Sequence, residues 1–255
     1  MSYGLRSFPD DAVALIQGAS RGIGLGLVEA LLADDSMKTV IATCREPSAA
    51  AALQALECDR LSIRALDVTN PVVIAGLAEA LECEGTRLSL VINAAGVLHG
   101  EGFAPEKKLE DLDMHALQRV FSVNTFGPAL MLKALRPLMA REGKAVFAAI
   151  SARVGSIADN RLGGWYAYRA SKGALNQIIK TAGIEFSRRN RNAIAAALHP
   201  GTTDTALSEP FQANVPDEKL FSVGQTCQYL LSVIDDLTGD DNGGFFAWDG
   251  KSIEW

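Results

Sequence analysis

Residues 12–32 read AVALIQGASRGIGLGLVEALL, and the division of that stretch decides the fold. The run Ala12–Gln17 is apolar and of strand length, it meets Gly18, and residues 23–32 then carry apolar side chains at helical spacing. Between the two stands Gly18-Ala19-Ser20-Arg21-Gly22-Ile23-Gly24, a Gly-x-x-x-Gly-x-Gly pattern. Glycines permit a tight turn and a close backbone approach, and the first turn of a helix presents unpaired N–H groups at the positive end of its dipole. Strand, glycine turn and helix in that order form a cradle for the diphosphate of a dinucleotide.

The same alternation continues outward. Residues 39–43 read as a second strand, 49–56 as a helix opened by Pro47 and Ser48, 61–66 as a strand, and 72–82 as a helix after Asn70 and Pro71. Further strands are expected at 88–92, 145–150 and 193–198, long helices at about 114–139 and 168–188, and a last edge strand at 244–248. Strands that alternate with helices pair in parallel, and right-handed crossovers place helices on both faces. The expected fold class is therefore α/β: one Rossmann-fold domain over residues 1–255, with a doubly wound parallel sheet of about seven strands. Residues 201–221, which include Pro210 and Pro216, are the one long irregular segment and are expected to form a lid.

Composition excludes several classes of function. Hydrophobic residues make up 48% and charged residues 21% of the 255, which fits one globular domain of enzyme size and neither a disordered nor a fibrous chain. With 24 basic against 30 acidic residues the formal charge is -6, so no nucleic-acid surface is expected. Apolar runs are strand-sized and residues 1–11 lack the regions of a signal peptide, so a cytoplasmic protein without a membrane partner is expected. The four cysteines lie far apart and the three histidines show no ligand spacing, so neither a disulfide framework nor a metal is expected.

After the second strand stand Thr43, Cys44 and Arg45. A carboxylate there would hold the adenosine ribose hydroxyls and select NAD, whereas this chain has an uncharged Cys44 followed by a cation. Arg45 and Arg21 together offer guanidinium groups that match the oxygens of the extra phosphate of NADP. NADP(H) is expected to be preferred, with NAD(H) as the second choice.

From this turn (Gly18, Ser20, Arg21, Gly22, Ile23, Gly24), through Asp67-Val68 after the third strand, to Asn93-Ala94-Ala95-Gly96 after the fourth, the spacing resembles the short-chain dehydrogenase/reductase family. The resemblance covers nearly the whole chain. It implies that Asp67 and Val68 contact the adenine, and that Asn93, Ala94, Ala95 and Gly96 stabilise the sheet and border the adenosine ribose.

Tyr168-Arg169-Ala170-Ser171-Lys172 is the most specific chemical motif. Residues four apart share a helix face, so the Lys172 ammonium is expected beside the Tyr168 phenol and the cofactor ribose. Its charge is expected to lower the phenol pKa toward the physiological range, where general acid and base catalysis is efficient. Asn124 matches the family asparagine that interrupts a long helix and holds a water in the proton relay. In the family a serine three residues before a glycine hydrogen-bonds the substrate oxygen; counting back from Gly155 lands on Ala152, and the serine is Ser151. Neighbouring strand residues point to opposite faces, so three readings stay open: Ser151 acts from a distorted strand end, Ser156 or a water replaces it, or activity is weak. Pro200, Gly201, Thr203 and Thr205 match the family segment that holds the nicotinamide carboxamide, with His199 packed below.

Residues 155–160, 166–172 and 248–255 resemble most closely the branch with C-factor-like signalling proteins and Sniffer-type carbonyl reductases. Trp165, Tyr166, Phe211 and Phe221 are expected to line an apolar pocket. The combined expectation is an oxidoreductase that moves hydride between NADP(H) and a small-molecule carbonyl or secondary alcohol, with Tyr168 as general acid/base. The alternative is a dinucleotide-binding sensor or signalling protein with little turnover. The resemblance also implies a homodimer or homotetramer, with the long helical segments at the subunit contact.

Overall fold

In the computed structural model, which describes residues 5–255, the sheet is built around the opening apolar run. β1 (Ala12–Gln17) lies between β2 (Met37–Cys44) and β4 (Leu90–Asn93), parallel to both. With β3 (Leu61–Ala65), β5 (Ala145–Ile150), β6 (Ala193–His199) and β9 (Gly244–Ala247), the order is β3-β2-β1-β4-β5-β6-β9, seven parallel strands. Two short strands, β7 (Thr202–Thr203) and β8 (Leu220–Phe221), pair separately. The strand order reverses between β1 and β4, which is where an open α/β sheet leaves a ligand crevice at its carboxyl edge.

Alternation along each strand feeds two cores. Ala14, Ile16, Leu90, Ile92, Val146 and Ala148 face α1 (Gly22–Leu32) and α7 (Val223–Asp236), together with Leu27, Leu31, Leu230 and Ile234. Leu15, Val91, Phe147, Ala149 and Ala195 face α3 (Pro71–Cys83), α5 (Gly127–Leu135) and α6 (Tyr166–Arg189), with Leu77, Met131, Leu175 and Ile179. This is the doubly wound arrangement expected of strands apolar on both sides. α6 packs close at its C-terminal half, where a Cβ on Gly183 would run into the Gly243 amide.

Three expectations need adjustment. The helix read at 49–56 is only a 3-10 turn, Pro47–Ala49, and the single turn α2 (Ala51–Gln54), of which Leu53 alone is buried. One buried leucine contributes about 2 kcal/mol, while fixing each residue costs about 1–2 kcal/mol, so packing sustains one turn there and not two. The pattern at 114–139 is broken into α4 (Met114–Phe121), a π-helical turn Ser122–Phe126 and α5. Pro128 has no amide to give the Asn124 carbonyl four residues back, so a regular helix cannot close there. Residues 201–221 are not structureless: besides β7 and β8 they form the 3-10 turns Glu209–Asn214 and Asp217–Lys219. No helix among the described residues is long and apolar enough to cross a membrane, and none of their His, Cys, Asp and Glu side chains form a group of three that could hold a metal ion.

Candidate active site

The glycine turn sits at the switch point. Gly18 has φ +86°, and a Cβ there would lie 2.7 Å from the Ala95 nitrogen, while a Cβ on Gly24 would run into the Gly18 carbonyl. Both positions therefore demand glycine. The amides of Gly18 and Ala19 donate to the Thr43 carbonyl at 2.9 and 3.0 Å, and Ala94 and Ala95 donate to the Gln17 carbonyl and Oε1 at 2.9 and 3.2 Å. These bonds fix the ends of β1, β2 and β4 around the turn. The amides of Ser20, Arg21, Gly22, Ile23 and Gly24 donate to no described residue, and no side chain caps α1. Five unpartnered amides at a helix start suit the oxygens of a diphosphate.

Arg21 and Arg45, both exposed, line one cleft of about 450 Å³ with Ser20, Glu46 and Ala49 to Ala52. Neither arginine makes an ion pair with a described residue. Cys44 turns into the core, where burial pushes its thiol up, so no ionised group replaces the missing carboxylate. The residues present thus fit a dinucleotide carrying an extra phosphate. Asp67 accepts from the amide and hydroxyl of Thr69 at 2.8 and 2.7 Å, and the buried Val68 packs where a Cβ on Gly127 would meet it at 2.9 Å. Asn93 is buried with its Oδ1 unpartnered. Gly96 is a close neighbour of both helical polar groups: a Cβ on it would lie 3.6 Å from Asn124 Oδ1 and 3.7 Å from Lys172 Nζ.

Tyr168 and Lys172 lie one turn apart on α6, and Lys172 Nζ is 5.8 Å from the phenol ring centre. The Tyr168 hydroxyl, on a partly buried side chain, bonds to no described residue, whereas buried Lys172 donates to the Ile150 carbonyl at 2.7 Å. The expected lowering of the phenol pKa is not what this environment gives. Burial pushes Tyr168 up to about 12 and Lys172 down to about 8, because removing water disfavours phenolate and ammonium alike. The following turn, Arg153–Gly155, is pressed onto α6: a Cβ on Gly155 would lie 2.8 Å from the Lys172 backbone carbon.

Asn124 is fully buried in the π-helical turn, and its side chain clamps a loop: Oδ1 accepts from the Val97 amide at 2.8 Å, and Nδ2 donates to the Val97 carbonyl at 2.8 Å and to Ser171 Oγ at 3.1 Å. Thr125 Oγ1 donates to the Ser171 carbonyl at 2.8 Å. The loop after β4 and the N-terminal part of α6 are thereby locked together. Ser151 has a partner other than the substrate oxygen expected of it: its buried hydroxyl donates to Asn176 Oδ1 at 2.6 Å. The β5–β6 ladder has no register shift that would re-aim Ser151. Ser156 is buried and accepts from the Asp159 amide at 3.1 Å.

Beyond β6, Pro200 is buried and Gly201 has φ +75°. Thr203 Oγ1 bonds Thr226 Oγ1 at 2.8 Å, and the Thr205 methyl carbon would lie 3.4 Å from a Cβ on Gly22. This brings the start of the segment 201–221 over the glycine turn. His199 Nδ1 is buried without a partner, and burial, with Arg153 adding to it, pushes the ring down to about 4, so the imidazole is neutral. Trp165 lies edge-on to Tyr168 at 6.2 Å and to Phe211 at 4.9 Å, and Phe211 is edge-on to His99 at 5.8 Å. Phe221 instead packs with Tyr229 and Trp248, and Tyr166 points outward, 37% exposed. Of the four aromatic side chains expected in the pocket, Trp165 packs on the phenol ring and Phe211 packs on Trp165.

Sequence reasoning missed Glu106, a buried carboxylate whose Oε2 accepts from the Ala167 amide at 3.1 Å and whose carbonyl accepts from Trp165 at 2.6 Å. It occupies the start of α6, sixty-one positions away in the chain. No local pattern links such residues; the only sequence hint is that α6 opens after Gly163-Gly164 with no capping side chain of its own.

Comparisons with known proteins show what the chain is similar to. A model of the short chain dehydrogenase family matches residues 12–216. The C-signal protein of Myxococcus xanthus is 32% identical over 173 residues, 68% of this chain and 95% of that protein. An NADPH-bound carbonyl reductase from chicken fatty liver superposes with a TM-score of 0.86 at 31% identity, over 96% of this chain and 99% of its own. The carbonyl reductase Sniffer of D. melanogaster gives 0.84 at 26% identity, over 97% and 100%.

Proposed function

The chain belongs to the short-chain dehydrogenase family, and from that premise we propose that it is an NADPH-preferring carbonyl reductase with Tyr168 as general acid. The observation that carries the reading is the free Tyr168 hydroxyl one helical turn from buried Lys172. NADPH held by the glycine turn, Arg21 and Arg45 would supply a hydride, with its electron pair, to the carbonyl carbon. Tyr168 gives its phenolic proton to the carbonyl oxygen, so the C=O π bond is replaced by one C–H and one O–H bond. Lys172 in its ammonium form stabilises the phenolate left behind and returns a proton to it, regaining its own from solvent. The Asn124 carbonyl, denied an α-helical donor by Pro128, is the group on this chain suited to hold a water in that relay.

The remaining residues bind. The turn from Gly18 to Gly24 receives the diphosphate through the free amides of Ser20, Arg21, Gly22, Ile23 and Gly24, Arg21 and Arg45 the extra phosphate, Asp67 and Val68 the adenine, and Asn93, Ala94, Ala95 and Gly96 border its ribose. Lys172 takes the other ribose, and Pro200, Gly201, Thr203 and Thr205 hold the carboxamide. Ser151 serves as a positioning residue under α6. Exposed Leu109, Leu112, Met114 and Phe126 suit a contact with a second copy of the chain.

The test is NADPH oxidation with a panel of quinones, diketones and aromatic aldehydes. Consumption supports the reductase; tight NADPH binding with no consumption across the panel supports the sensor reading. Arg45→Ala is expected to remove most of the preference for NADPH over NADH, about tenfold or more in affinity, because a charge-assisted phosphate contact is lost. Equal affinity of the unmodified protein for the two nucleotides, measured by fluorescence titration, would refute the assignment of the cleft.

A further inference from the structure

Among the described residues Trp165 is the one non-glycine with positive φ, +53°, and it follows Gly163 and Gly164 at +65° and +64°. A bulky side chain in the left-handed region is a genuine outlier, kept only where its surroundings over-determine it. The surroundings are explicit here. The Trp165 amide donates to the Glu106 carbonyl at 2.6 Å, and Ala167 donates to Glu106 Oε2 at 3.1 Å. On the other side, the Arg169 amide donates to the Trp165 carbonyl at 2.8 Å, and Arg169 Nε donates to the Gly163 and Gly164 carbonyls at 3.2 and 2.9 Å.

Glycine would satisfy this backbone without strain, and the indole N–H donates to no described residue. The ring must therefore be explained by its contacts. It stands edge-on to Tyr168 at 6.2 Å and 79°, and edge-on to Phe211 of the 209–214 turn at 4.9 Å and 61°. Trp165 thus joins the Tyr168 ring to Phe211 in one apolar row.

We infer that Trp165 is a specificity-determining residue: with Phe211 it forms the wall that receives the substituent on the carbonyl carbon, and it selects planar aryl carbonyls over short aliphatic ones. The inference rests on carbonyl reduction at Tyr168. Two diketones separate it from that reading, 1,2-diphenylethanedione and butane-2,3-dione. Each gains a hydride from NADPH at carbon and a proton through Tyr168 at oxygen, giving a hydroxyketone, so only the substituents differ.

In Trp165→Gly the kcat/KM for the diphenyl compound is expected to fall about tenfold or more, mainly through KM, with a far smaller change for butane-2,3-dione. The thermal midpoint should hold or rise as the backbone strain is relieved. Phe211→Ala, which leaves Trp165 and its backbone in place, should shift the same substrate ratio and decides the matter if the glycine variant does not fold. Equal losses on both diketones, or an unchanged ratio in both variants, overturn the inference and leave the reductase standing. Absence of turnover on either diketone by the unmodified protein overturns the reductase reading and this one with it.

Discussion

Tyr168→Phe is expected to lower kcat for carbonyl reduction by about a thousandfold, with NADPH affinity nearly unchanged. The substitution removes one oxygen that bonds to no described residue, so no internal hydrogen bond is lost and the ring contact with Trp165 can persist. What disappears is the proton that the product oxygen needs. The upward shift of Tyr168 to about 12 keeps the phenol protonated throughout the neutral range, which suits an acid in the reductive direction. Lys172 sets the upper limit: with its ammonium titrating near 8, reduction is expected to decline as pH rises through that value.

Stability should move the other way. Because the folded value of Lys172 lies below its ordinary 10.5, the unfolded chain binds more protons between about 8 and 10.5, and the contribution of Lys172 to stability rises with pH in that window. Tyr168 reverses the sign above its ordinary value of 10.0, where the folded state holds the proton longer. Activity that falls between pH 8 and 10 while the thermal midpoint does not would separate titration of Lys172 from unfolding. A Tyr168→Phe variant with more than a tenth of the original kcat would end the assignment of the phenol as acid.

The contrast between what was legible and what was not follows from range. Gly18, Gly22 and Gly24 could be placed at a strand–turn–helix because the constraints there are local, and Tyr168 and Lys172 on one helix face because four residues make one helical turn. The parallel sheet with helices on both faces follows from strands that are each apolar on both sides and alternate with helices, whereas the strand order does not. The sign of the phenol shift was not legible: spacing reveals the ammonium beside it, whereas desolvation is set by tertiary packing that no local pattern records. Glu106 beneath the start of α6 and Asn176 beneath Ser151 belong to the same class, contacts set by tertiary packing. The aromatic pocket was half legible. Trp165 and Phe211 converge because Gly163 and Gly164 allow a left-handed turn, while Phe221 is drawn to Trp248 on the other side of Gly201.

Ala152→Ser is expected to raise kcat for an unactivated aryl ketone by about tenfold to a hundredfold, the range in which one added donor to a developing oxyanion acts. β5 keeps its alternation to the end: the Ser151 amide donates to the Leu198 carbonyl at 2.7 Å, and its hydroxyl points under α6 to Asn176. Ala152 follows in extended conformation, φ -150° and ψ 144°, so its methyl lies on the opposite face, ahead of the turn that presses on Lys172. Tyr168 is then the single hydroxyl assigned to the substrate oxygen. Diketones, whose carbonyl carbon is already electron-poor, depend least on a second donor, so their kcat should rise much less than that of the ketone. Ser151→Ala should chiefly cost stability, about 1–3 kcal/mol, since Asn176 Oδ1 would be left buried without its donor. If Ala152→Ser leaves both substrates unchanged while Ser151→Ala reduces turnover a hundredfold in a folded protein, the polarising hydroxyl is that of Ser151, and the end of β5 must rearrange when substrate binds.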